Sequence, residues 1–141
     1  MRRRSGLESM QRLAEYSADA ASRDVGQRLR ALRAEEDRLR QINDLLGHYE
    51  RLSGSATDAI SVGTLNTRRQ FAARLREATG KQTEAVRDHE SHYQAQVQRW
   101  RDARAHALAL QRFNERVRHA AEERRDRREQ ARLDEIAQRR R

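Results

Sequence analysis

AARLREATGKQTEAVRDHESHYQAQVQRWRDARAHALALQRFNERVRHAA, residues 72–121, decides the fold. Ala72, Thr79, Val86, Tyr93, Trp100, Ala107, Asn114 and Ala121 recur in it every seven residues. Leu75, Gln82, His89, Gln96, Ala103, Leu110 and Val117 form a second line beside the first. Alternating steps of three and four return to one side of a helix, and a seven-residue repeat of this kind is a coiled-coil seam that needs a partner helix. Tyr93, Trp100 and Leu110 stand large among small and polar seam residues, a mix that suits a shaped, particular partner more than a generic leucine zipper.

Working towards the N-terminus, the pattern breaks between Ser53 and Asn66. Gly54 and Gly63 bracket Ser, Thr, Asp and Ala residues there, which marks a loop. Thr67 and Gln70 form a candidate capping box that restarts a helix. Before the loop a first helix carries Val25, Leu32, Leu39 and Leu46 in one heptad line and Ala14, Ala21, Ile42 and Tyr49 in another, with Leu45 and Leu52 widening the stripe. Ser5 with Glu8 is a capping box for its start. Glu8–Arg12, Asp19–Arg23, Asp24–Arg28 and Glu36–Arg40 are acid-to-base pairs at i,i+4, each worth about 0.2–0.5 kcal/mol on an exposed helix.

The expected architecture is all-α: a long antiparallel two-helix coiled-coil hairpin, with the second helix longer than the first. Helix 1 spans about 5–52, the loop 53–66 and helix 2 about 67–138, in a single elongated domain. Facing residues should have numbers summing to about 120, which sets Tyr49 against Phe71, Leu45 against Leu75 and Leu7 against Phe113. Past about residue 115 helix 2 has no intramolecular partner, an overhang of about 40 Å at 1.5 Å per residue.

Composition agrees. Charged residues make up 38% and apolar ones 35%, with no proline, too polar for a globular core and too rich in helix formers for disorder. The net charge of +9 is spread along the chain with acids interleaved throughout, unlike a nucleic-acid-binding arm. No cysteine is present, which excludes thiol catalysis and zinc-thiolate sites. No apolar stretch follows Arg2, Arg3 and Arg4, so neither a signal peptide nor a membrane insertion is expected. His89 and His92 lack metalloprotease spacing, and scattered carboxylates on an exposed coiled coil lack the pocket that acid–base catalysis needs. No enzyme activity, metal or cofactor is expected.

The Leu-rich first helix after a basic start, Tyr49 before a Gly/Ser loop, Gln70-Phe71 with Leu75, Trp100-Arg101, and the ending Asp134-Glu135-Ile136-Ala137 together resemble the FliJ family of flagellar type III export proteins. The resemblance spans nearly the whole chain. It implies a coiled coil similar to the central stalk of rotary ATPases. Such a stalk binds and stimulates the hexameric flagellar export ATPase, contacts the cytoplasmic domain of the export gate protein FlhA, and escorts export chaperones in the service of motility and chemotaxis. It would stand at the cytoplasmic face of the inner membrane, at the flagellar base, and be a monomer when isolated.

On this resemblance the gate contact falls on Ile42, Leu45, Tyr49, Phe71, Leu75, Ala78 and Gln82. Two positions depart from the family pattern: Gln82 stands where relatives often carry histidine, and Leu45 where an aromatic is often found. Contact with the ATPase ring falls on Arg2, Arg3, Arg4, Arg124, Arg125, Arg127, Arg128, Arg132, Leu133, Asp134, Glu135 and Ile136. Three rivals carry the same composition. They are a YscO-type stalk of a virulence secretion system, a basic coiled coil that binds nucleic acid, and a plain homodimeric coiled coil.

Overall fold

The computed structural model describes residues 2–55 and 61–140, with side chains at 6–54 and 61–140. Two helices account for it: α1, Arg2–Ser55, and α2, Val62–Arg139. No strand occurs among the described residues. The chain is all-α, with the second helix the longer and the two packed on each other.

It divides into two units, each built from a piece of both helices. One comprises Ser22–Gln98; the other joins Met1–Ala21 with Arg99–Arg141. In the Ser22–Gln98 unit, the Tyr49 and Phe71 rings meet at 4.6 Å between centroids. Arg76 Nη2 pairs with Glu50 at 2.9 Å, and Gln82 Nε2 donates to the Glu35 carbonyl at 2.9 Å. In the terminal unit, Asn114 Nδ2 donates to the Leu7 carbonyl at 3.1 Å. Each of these four pairs joins residues whose numbers sum to about 120, as an antiparallel pairing requires.

The seam lines read from the sequence are the buried lines. Ala72, Leu75, Gln96 and Ala107 are buried on α2, Ala14 and Leu32 on α1. Every other member of the two α2 lines, from Thr79 to Ala121, is half-buried. Two helices in contact cover only a strip of each other, so this core is two heptad lines wide and removes little apolar area per turn. Leu45 does not belong to it: at 41% exposure it lies on the flank of the stripe that it was expected to widen.

The helix ends differ from expectation. α1 starts at Arg2, ahead of Ser5, whose side chain lies outside the described residues. It also runs on through Gly54. α2 starts at Val62, five residues before the expected Thr67. The cap is Ser61. Its Oγ accepts from the Thr64 backbone N–H at 3.2 Å and lies 2.9 Å from Thr64 Oγ1, which satisfies one orphan donor of the first turn. The Thr67 hydroxyl turns back to the Gly63 carbonyl at 3.0 Å, so it serves the helix interior instead of opening a helix. Gly54 and Gly63 thus occupy terminal helical turns, and the interruption is shorter than 53–66.

Surface ion pairs also regroup. Arg40 pairs with Asp37 instead of Glu36, and Arg38 pairs with Glu35 at 2.8 Å. Exposed pairs of this kind contribute about 0–1 kcal/mol each, so the regrouping leaves the fold indifferent.

Candidate interaction surfaces

Two groups of residues were expected to carry contacts, and each lies within one unit.

The first is in the Ser22–Gln98 unit. Tyr49 and Phe71 stack at a tilt of 59°. Leu75 is buried at 9% exposure, whereas Phe71 keeps 37%. Ile42, Tyr49 and Ala78 are half-buried. The seven expected residues therefore divide. Ile42, Tyr49 and Leu75 stand on the seam lines, while Leu45, Phe71 and Ala78 stand on the flanking positions that a two-helix seam leaves open. Gln82 is turned inward, its Nε2 donating to the Glu35 carbonyl and to Glu35 Oε2 at 2.6 Å. That hydrogen bond, with smaller help from Arg38 and His89 and against some desolvation, holds the Glu35 carboxyl below its ordinary value of 4.5. Beside the aromatic pair is a groove of about 430 Å³ lined by Tyr49, Thr64, Thr67, Arg68 and Phe71. Thr64 falls in the expected loop; Thr67 and Arg68 fall in the expected helix, where Arg68 continues the Leu75 line one heptad back but, being charged, carries no apolar signal.

The second is in the terminal unit. Burial on α2 stops at Ala121: every residue from Glu122 to Arg140 is exposed. The paired region thus reaches about six residues beyond the expected limit near 115, since α1 begins earlier. Burial stops about where α1 does, and the seam residues beyond that point are of a different kind. Continued past Ala121, the two heptad lines read Arg124, Arg128, Ala131, Glu135 and Gln138. Unpaired charges cannot be taken out of water cheaply, so such a seam does not close on an apolar partner.

Arginines extend beyond those lines in a regular way. Arg118, Arg125, Arg132 and Arg139 recur every seven residues, a ladder along one side of the helix. Glu122, Asp126, Glu129, Leu133 and Ile136 follow another side at alternating steps of four and three. Leu133 and Ile136 are 57% and 45% exposed. Within the helix Arg127 pairs with Glu123, Arg139 with Glu135 at 2.6 Å, and Gln130 donates to Asp134 at 3.3 Å. Arg124, Arg125, Arg128 and Arg132 carry no ion pair among the described residues. The ladder is legible in the sequence by counting in sevens, a period that the individual arginines do not show. The Arg2, Arg3 and Arg4 side chains lie outside the described residues.

Elsewhere, Trp100 is half-buried with the Arg104 guanidinium 5.6 Å above its ring. His89 and His92 lie 6.5 Å apart between centroids. No group of three potential metal ligands forms among the described residues, and no described helix is long and apolar enough to cross a membrane.

No curated protein and no solved structure matches the chain. The family model described as "Flagellar FliJ protein" matches residues 3–141. That span takes in both helices and both surfaces, and the chain belongs to the FliJ family of flagellar type III export components.

Proposed function

We propose that this chain is the non-enzymatic stalk of a flagellar export apparatus, one that binds and stimulates the export ATPase hexamer through its terminal unit. The observation that carries the reading is the end of burial at Ala121 while α2 continues to Arg139. A bare helix with unpaired arginines on its former seam suits a ring opening lined with carboxylates. Guanidinium forks pair there bidentately and steer the approach by long-range attraction. Arg2, Arg3 and Arg4 would add charge at the same end.

The other end of the work falls to the flank of the Ser22–Gln98 unit. Leu45, Phe71 and Ala78 present apolar surface beside Tyr49, and a gate domain such as that of FlhA would cover it. Burial of exposed aromatic surface of this kind is a common anchor in protein interfaces. The chaperone-escort role and a position at the cytoplasmic face of the membrane belong to the same proposal. Mixing the purified chain with its export ATPase and following ATP hydrolysis tests it: the rate should rise with added chain and saturate. An unchanged rate counts against the stalk reading.

A further inference from the structure

The groove beside Tyr49 and Phe71 has one demand that nothing among the described residues of the unit meets. Its two hydroxyls are engaged inside α2: Thr67 Oγ1 donates to the Gly63 carbonyl at 3.0 Å, and Thr64 Oγ1 lies 2.9 Å from Ser61 Oγ. The aromatic wall needs only apolar contact. Arg68 is different. It stands on the second seam line, seven residues before Leu75, where later turns carry Ala103, Leu110 and Val117. It is half-buried and carries no ion pair among the described residues. Two turns further on, Arg76 finds Glu50 at 2.9 Å. A guanidinium keeps its charge at any ordinary pH, and partial burial without a counter-charge costs free energy that a carboxylate would return.

We infer that this groove is a subsite for a protein segment that sets one apolar side chain against Tyr49 and Phe71 and a carboxylate on Arg68. The inference rests on the gate reading of the Phe71 flank and adds the chemistry of its occupant. An apolar side chain alone would leave Arg68 unpaired in a drier site than before. A carboxylate alone would leave the aromatic wall uncovered. Adjacent apolar and acidic residues on the partner meet both demands, and the flat guanidinium fork rewards the planar, bidentate approach of a carboxylate.

The test is calorimetric titration of the full chain with the purified cytoplasmic domain of the gate protein. Arg68→Gln should weaken binding about tenfold, and Arg68→Lys should recover only part of the loss because the fork is gone. The wild-type affinity should fall more steeply with salt than that of Arg68→Gln. The double variant Phe71→Ala/Leu75→Ala reports on the gate reading itself. If that double variant weakens binding while Arg68→Gln and Arg68→Glu bind as the wild type does, the subsite is overturned and the gate reading stands. If the double variant binds unchanged, the gate reading falls and takes the subsite with it. Circular dichroism of each variant confirms that the helices persist.

Discussion

Asn114 donates from Nδ2 to the backbone carbonyl of Leu7 at 3.1 Å, and the same nitrogen reaches Gln11 Oε1 at 2.7 Å. The Asn114 amide thus crosses the seam and fastens to the backbone of α1. In the Ser22–Gln98 unit Gln82 does the same to the Glu35 carbonyl. A polar residue at a seam position lowers stability but fixes register, since any slipped pairing strands its amide. Asn114 Oδ1 is itself buried with no hydrogen-bond partner among the described residues, which is the cost of this arrangement.

Replacing Asn114 by leucine should therefore raise the melting temperature while loosening the register. The chain has no cysteine, so a pair can be introduced cleanly. Ala14→Cys with Ala107→Cys, both buried seam positions, should form a disulfide in high yield beside Asn114 and in lower yield beside leucine. An unchanged yield would remove the register role.

Gly80 lies inside α2 with nothing within 4 Å of where a Cβ would stand. Gly80→Ala should stabilise the fold by about 0.5–1 kcal/mol, because alanine loses less backbone freedom on entering a helix. Urea denaturation measures it, and destabilisation would mean that this turn departs from a regular helix.

How much of this was legible in the sequence depends on what each residue answers to. The seam from Ala72 to Ala121 could be read because burial in a two-helix coil follows period alone, and every residue on both lines is buried or half-buried. The Tyr49–Phe71 pairing followed from the same arithmetic. The helix ends could not be read as well. Ser61 and Thr67 offer the same hydroxyl, and residue type alone does not decide which caps a helix and which bonds back to an i−4 carbonyl. Of the groove residues only Thr64 lies behind that misplaced boundary; Arg68 lies in the expected helix, where a count of apolar residues passes over it. The limit of pairing was set a few residues short because the start of α1 was read from Ser5.

Leu75 and Phe71 should separate stability from binding. Leu75→Ala removes a buried side chain and should cost about 2–3 kcal/mol. Phe71→Ala leaves a more exposed site and should cost less, about 1 kcal/mol, mainly the contact with Tyr49. Thermal melts followed by circular dichroism would show the order, and equal losses would place Phe71 in the core.

Glu35 supplies a pH dependence. Its folded carboxyl is held below 4.5, first by the Gln82 hydrogen bond, so the charged form favours the folded state. The contribution is complete above the ordinary value and is lost as pH falls through the lower folded one. Melting temperatures taken between about pH 6 and pH 3 should therefore fall less steeply below 4.5 in Glu35→Gln than in the wild type. Parallel curves would assign the acid sensitivity to other carboxylates.

The stalk reading stands or falls on the bare end of α2. The direct measurement is the rate of ATP hydrolysis by the cognate export ATPase with either the full chain or a chain ending at Ala121, each shown to be helical and equally stable. Stimulation by the full chain and none by the shortened one is the predicted result. Equal stimulation by both would contradict the account.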